Sequence, residues 1–143
     1  MELREKLKKY EDFSKNDNAN HFLDVFEEII VLKEPDSISW ILDYFDDDTE
    51  YSWVFESMRK NLEIFDAETY VRSILIFLDK TKKNNKGWMR CFFYVILNSE
   101  QCVETLKKNA RLCSKEKLLD ILESIAENSF RHVPIIEDLK KYV

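Results

Sequence analysis

Glycine and proline are almost missing from this chain of 143 residues, which contains one glycine and two prolines. Tight hairpin turns and strained loops depend on glycine, because glycine adopts positive φ angles at no steric cost. A β-sandwich, a β-barrel and a glycine-rich phosphate-binding loop are therefore close to excluded. A chain of this length usually forms one domain, and we expect residues 1–143 to be a single domain.

Cysteine and histidine are also scarce. The three cysteines, Cys91, Cys102 and Cys113, lie eleven residues apart, and an odd number with no close pair argues against a disulfide framework or a Cys-x-x-Cys metal site. The two histidines, His21 and His132, are not accompanied by a nucleophile and an orienting group in a recognisable arrangement. We therefore expect neither an enzyme nor a metal or cofactor site.

No apolar run approaches the roughly 20 residues that a membrane-spanning helix needs. The longest runs lie at 73–78 and 91–97. The first residues, Met1 to Lys6, are highly charged and are not followed by the apolar segment of a secretory signal. These features predict a soluble, cytoplasmic protein that does not bind membranes.

Charged and apolar side chains are abundant, at 35% and 45% of the residues. Apolar residues recur at spacings of three and four along almost the whole sequence, which predicts amphipathic α-helices. The pattern predicts eight or nine helices, joined by links so short that neighbouring helices are antiparallel. We expect an all-α domain whose helices stack as helical hairpins, in the manner of a HEAT-like α-solenoid.

Local signals predict several helix ends. An Asp or Ser side chain at a helix start accepts hydrogen bonds from the free backbone N–H groups of the first turn. The basic turn from Lys80 to Gly87 holds the only glycine and is predicted to separate two helices. The predicted N-caps are Asp66, Ser99 and Ser114, and Asp48 or Thr49 is predicted to cap the fourth helix.

Charge is distributed unevenly along the chain. From Glu34 to Glu68 there are eleven acids and two bases, whereas from Asp79 to Lys117 there are ten bases and four acids. Helical proteins place charge on their surfaces, so such segments can arise without a function. The basic turn 80–86 lacks the interleaved aromatic residues of a nucleic-acid contact, and a solvated loop is expected. The acidic segment would repel nucleic acid, so the expected partner is a basic protein and not a nucleic acid.

Aromatic residues lie among these acids where the third predicted helix meets the fourth. Residues 40, 43, 44 and 47 share one face of the third helix, away from its predicted core positions, and residues 53 and 56 lie off the apolar stripe of the fourth. Exposed aromatic rings anchor protein interfaces, and clustered acids accelerate association with a basic partner. The candidate partner-binding residues are Trp40, Asp43, Tyr44, Asp46, Asp47, Asp48, Glu50, Tyr51, Trp53 and Glu56.

Three short features of the second half of the chain carry a family resemblance: Gly87-Trp88, the run from Val95 to Glu100, and Leu106. They place a tryptophan on one helix and an Ile-Leu-Asn-Ser turn before the next. In this respect the stretch from Tyr70 to Ile125 resembles the small all-helical immunity proteins of bacterial polymorphic-toxin and contact-dependent growth inhibition systems. It is similar in particular to immunity-protein family thirty, which is expected to be all-α and HEAT-like. Trp88 and Asn98 are equally well explained as structural residues.

The resemblance implies an immunity protein that binds a cognate toxin, commonly a nuclease, and blocks its active site or substrate path. An acidic face suits this role because nuclease active sites are basic. The alternatives are a helical adaptor that binds a basic protein other than a toxin, and a catalytic or small-molecule-binding helical domain. A homodimer formed through exposed aromatic residues is a further possibility.

Overall fold

The computed structural model describes residues 2–143 and contains nine α-helices within that range, with no β-strand there. Short 3₁₀ turns follow α3, α4, α7 and α9, and one precedes α9. The all-α prediction is confirmed, as is the predicted number of helices. The helices are α1 (Leu3–Lys9), α2 (Asn18–Val31), α3 (Pro35–Ile41), α4 (Ser52–Asn61), α5 (Ala67–Lys80), α6 (Lys86–Leu97), α7 (Glu100–Asn109), α8 (Lys115–Asn128) and α9 (Val133–Leu139).

The apolar faces of these helices meet in one core that extends from Leu7 in α1 to Leu139 in α9. Helices that are next but one in the chain pack side by side: α2 on α4, α3 on α5, α5 on α7, and α6 on α8. Hairpins of helices laid one on another produce this packing. Helix α6 is central, since Lys86 is the only exposed residue among its twelve.

The predicted N-caps Asp66, Ser99 and Ser114 are confirmed, whereas the predicted cap of the fourth helix at Asp48 or Thr49 is wrong, because α4 begins at Ser52 and Tyr51 holds its N-cap position. In each of the three confirmed caps the side-chain oxygen accepts a hydrogen bond from the backbone N–H three residues later, which satisfies one free donor of the first turn. The bonds join Asp66 to Thr69 at 2.7 Å, Ser99 to Cys102 at 3.2 Å and Ser114 to Lys117 at 3.3 Å. The predicted separation of two helices by the basic turn is also confirmed, because α5 ends at Lys80 and α6 begins at Lys86.

In the described part of the chain, no helix combines the length and the apolar character that crossing a membrane requires.

Candidate partner-binding surface

The loop that joins α3 to α4, residues 45–51, is held against the first turn of α6; we call it the acidic loop. Asp47 acts as a cap for that helix, although it lies 40 residues earlier in the chain. Its Oδ2 accepts a hydrogen bond from the N–H of Gly87 at 2.7 Å, and its Oδ1 accepts one from the N–H of Trp88 at 3.1 Å. The N–H of Asp47 donates to the carbonyl of Asn84 at 2.8 Å. The carboxylate of Asp47 therefore fixes the loop to α6, and its backbone N–H fixes the loop to the turn before α6.

The close approach of Asp47 explains the single glycine. Gly87 lies in the first turn of α6 and does not have a positive φ. A Cβ atom built on it would lie 3.1 Å from both carboxylate oxygens of Asp47, which is tighter than an ordinary carbon–oxygen contact. Glycine is thus required here for space and not for backbone conformation.

Trp88 forms the second attachment of the acidic loop. Its indole Nε1–H donates to the carbonyl of Asp46 at 3.0 Å. The ring packs edge-on against Phe45, with centroids 5.4 Å apart, and at 6.0 Å from the ring of Phe55. Phe45 itself is fully buried. The loop is consequently anchored by an apolar side chain beneath it and by hydrogen bonds at its surface.

Besides Asp47, whose carboxylate is bonded to backbone N–H groups of α6, four carboxylates of this region are exposed and form no salt bridge with any described residue: Asp43, Asp46, Asp48 and Glu50. Two of them make hydrogen bonds within the loop region. Asp46 Oδ1 accepts from the N–H of Asp48 at 2.9 Å, and Asp48 Oδ2 accepts from the side chain of Asn84 at 3.0 Å. These bonds hold the two carboxylates in place and leave their charges in solvent.

Glu56 is neutralised locally. Its carboxylate accepts two hydrogen bonds from the guanidinium of Arg59, at 2.6 Å and 3.2 Å, one turn along α4. These bonds hold the pKa of Glu56 below its ordinary value, because they favour the ionised carboxylate. The same guanidinium lies 3.5 Å from Glu63. Glu56 therefore contributes less negative potential to the surface than the four carboxylates without a basic partner.

The aromatic candidates differ in exposure. Trp53 on α4 leaves 51% of its surface accessible, whereas Trp40, Tyr44 and Tyr51 are half-buried and pack against the core. One face of Trp40 is occupied by the guanidinium of Arg4, which lies 4.8 Å from the ring centroid. Trp53 is therefore the most exposed of the four aromatic candidates.

The two tyrosines are held by rings from the first half of the chain. Tyr44 packs edge-on against Phe22, with centroids 5.3 Å apart, and its hydroxyl donates to Glu11 at 3.2 Å. Burial, with a smaller effect of the negative charge of Glu11, raises the pKa of Tyr44 to about 12. Tyr51 packs against Phe13, with centroids 5.5 Å apart. Both rings thus contribute to packing as well as to the surface.

A groove of ≈ 610 Å³ between α1, α3 and the turn before α6 unites half of the predicted residues. Residues 40, 43, 44, 46 and 48 line it, whereas residues 47, 50, 51, 53 and 56 lie outside its lining. The predicted arrangement on one helical face is wrong, because α3 ends at Ile41. Asp43 and Tyr44 belong to a 3₁₀ turn, and Asp47 lies in the acidic loop.

Basic residues that the sequence pattern did not associate with this surface also line the groove, namely Arg4, Lys8 and Lys83. The ammonium of Lys83 donates to the carbonyl of Asp43. The acids of the lining are Glu11, Asp43, Asp46 and Asp48. Four acids face three bases, so the lining of the groove is close to neutral. No local signal in the sequence marks these bases, since α1 and the turn before α6 reach the groove only through tertiary packing.

No group of three or more His, Cys, Asp or Glu side chains in the described part of the chain is arranged to hold a metal ion. The chemistry that this surface offers is recognition: exposed carboxylates on a fixed loop beside a partly exposed indole. Recognition is what a binding protein requires.

Comparison with models of known protein families gives a match that covers most of the chain. The model of the family Immunity protein 30 matches residues 9–106, which is more than two thirds of the chain. The chain therefore belongs to the Immunity protein 30 family. No curated protein and no solved structure matches it.

The family prediction is confirmed, but over a different range. The resemblance was placed between Tyr70 and Ile125, whereas the matched residues begin at the last residue of α1 and end within α7. The match consequently includes the whole acidic loop and its attachment to α6.

Proposed function

We propose that the protein binds a cognate bacterial toxin and neutralises it in the cytoplasm, by association and not by catalysis. The observation that carries this proposal is the match to an immunity-protein family over residues 9–106. A toxin of a polymorphic-toxin or contact-dependent growth inhibition system is the partner that this family membership suggests.

We infer that the acidic loop, together with Asp43 just before it and Trp53 just after it, forms the docking surface. Asp43, Asp46, Asp48 and Glu50 present four charges without a basic partner, and such clusters speed encounter with a basic surface. A half-exposed indole supplies the apolar contact that commonly anchors an interface. Asp43, Asp46 and Asp48 also line the groove, whose lining as a whole is close to neutral, and the proposed docking surface extends from them to Glu50 and to Trp53 on α4.

Asp47 has a different part in this proposal. Both of its oxygens are bonded to backbone N–H groups of α6, so it positions the neighbouring carboxylates and does not itself pair with the partner. A fixed loop loses less conformational entropy on binding than a mobile one. The preferred partner is a nuclease, because a nuclease offers the basic substrate path that exposed carboxylates can cover.

Co-expression with the toxin domain encoded beside the gene tests the proposal. The wild type should co-purify with that domain and protect the cell. Reversal of Asp43, Asp46 and Asp48 to lysine, combined with Trp53→Ala, should abolish both effects. Survival of protection in this variant would contradict the assigned surface, whereas failure of the wild type to bind any neighbouring toxin domain would contradict the function and favour a helical adaptor.

A matched control reverses three exposed acids on other helices: Asp24 and Glu27 on α2 and Glu127 on α8. Their side chains make no hydrogen bond or salt bridge with the described residues. This control changes the net charge by the same amount as the reversal on the acidic loop. Protection should survive it, so a loss specific to the loop variant cannot come from net charge alone.

A further inference from the structure

The turn between α8 and α9 presents the most exposed large apolar side chain of the described residues. Phe130 has 96% of its surface accessible, far more than the half-exposed Trp53. It is followed directly by Arg131 and His132, which line a groove of ≈ 610 Å³. An exposed apolar side chain therefore lies beside a concave site; we call the two together the Phe130 patch.

The groove of the Phe130 patch has an apolar floor and a charged rim. Leu97, Val103 and Ile135, from α6, α7 and α9, are buried or half-buried and form the floor. Glu100, Glu104 and Arg131 are the charged residues of the rim. Glu104 is paired with Lys107 at 3.1 Å, whereas neither Glu100 nor Arg131 forms a salt bridge with a described residue. Both signs of charge are thus available for a partner.

Hydrogen bonds fix the turn that carries Phe130. Asn98 Oδ1, at the end of α6, accepts from the guanidinium of Arg131 at 2.7 Å and from His132 Nε2 at 2.8 Å. The opposite ring nitrogen of His132 is bonded to Ser129 Oγ at 2.5 Å. The turn is held at both ends, and the phenyl ring of Phe130 remains in solvent instead of folding into the groove of its own chain.

We propose that the Phe130 patch is a self-association surface, in which Phe130 of each copy enters the groove of a second copy. A two-fold dimer uses one patch twice, so that patch must carry both halves of every contact. The Phe130 patch does so: it has a protruding ring and an apolar groove, and Arg131 and Glu100, neither of which has a salt-bridge partner in its own chain, would pair across the axis. The rim offers a basic toxin no excess of unpaired acids, because Glu104 is paired with Lys107 and Glu100 is balanced by Arg131.

Sedimentation of the full chain tests the proposal without any toxin, so its outcome is independent of the proposed function. Over a range from about 1 μM to about 1 mM, in which small interfaces associate, the average mass should rise toward twice that of the monomer. Phe130→Ser should remain monomeric throughout. Leu32→Ser is the matched control, because Leu32 is also an exposed apolar residue in a turn, at 55%, and it should behave as the wild type.

A charge exchange tests the polar pair. Arg131→Glu should weaken dimerisation at least tenfold, and the double variant Arg131→Glu with Glu100→Arg should restore it. A wild type that stays monomeric at every concentration would overturn the proposal. A Phe130→Ser variant that dimerises as the wild type does would also overturn it. If the wild type is monomeric and Phe130→Ser loses toxin capture, the patch belongs to the toxin interface instead.

Discussion

Replacing Asp47 by alanine removes the carboxylate that caps the first turn of α6 from a distant loop. Two backbone N–H groups, of Gly87 and Trp88, lose their acceptors. The loss of a capping side chain costs about 0.5–2 kcal/mol, and the loss of a negative charge at a helix N-terminus adds about 0.3–1 kcal/mol. We expect the free energy of unfolding to fall by about 2 kcal/mol.

Thermal unfolding followed by circular dichroism measures this loss. An unfolding entropy of about 2.1 cal/mol/K per residue gives about 300 cal/mol/K for the whole chain, so the melting temperature should fall by about 7 °C. Asp47→Asn keeps one acceptor oxygen and should fall between the wild type and Asp47→Ala.

Asp43→Ala is the matched control for Asp47→Ala. Asp43 is exposed, and its substitution by alanine removes the same charge as Asp47→Ala. The hydrogen bond from Lys83 is kept, because its acceptor is the backbone carbonyl of residue 43. Surface substitutions of this kind usually change stability by less than about 0.5 kcal/mol. Equal melting temperatures for the Asp47 and Asp43 variants would refute the argument that the acidic loop is fixed through α6.

Two further predictions concern stability. Gly87→Ala should destabilise the protein, although alanine usually favours a helix over glycine by about 1 kcal/mol. The reason is that the new Cβ would lie 3.1 Å from the carboxylate oxygens of Asp47, which two hydrogen bonds hold in place. A raised melting temperature would contradict this prediction. Burial, with a smaller effect of the charge of Arg131, holds the pKa of His132 below its ordinary value, so the unfolded chain binds the proton more readily. Stability should therefore be full above about pH 6.5 and decline as the pH falls below it, and urea midpoints for His132→Gln should lack this component of the decline.

The helices were predictable because their signals are local. Apolar spacing reflects which face of each helix is buried, and the caps at Asp66, Ser99 and Ser114 act within one turn. The attachment of Asp47 to Gly87 was not predictable, since it joins residues 40 positions apart. The single glycine correctly predicted a helix boundary. The reason for glycine at this position, the close approach of Asp47, lies in the loop between α3 and α4 and could not be predicted.

The exposure of the aromatic candidates was only partly predictable for the same reason. Periodicity identifies the face of a helix that packs on the core. By that criterion Tyr44 lies off the apolar stripe of the third predicted helix, whereas Tyr51 lies at the start of the stripe of the fourth. Neighbouring segments cover both, with Phe22 against Tyr44 and Phe13 against Tyr51. Trp53, by contrast, keeps 51% of its surface accessible, as its position off the apolar stripe predicts.

The most direct test of the proposed docking surface is the association rate constant with the cognate toxin domain, measured by stopped-flow fluorescence at several salt concentrations. Reversal of Asp43, Asp46 and Asp48 to lysine should slow association by on the order of tenfold or more at low salt, and should remove the decline in rate that the wild type shows as salt is added. Equal rates and an equal salt dependence for the two proteins would contradict the account.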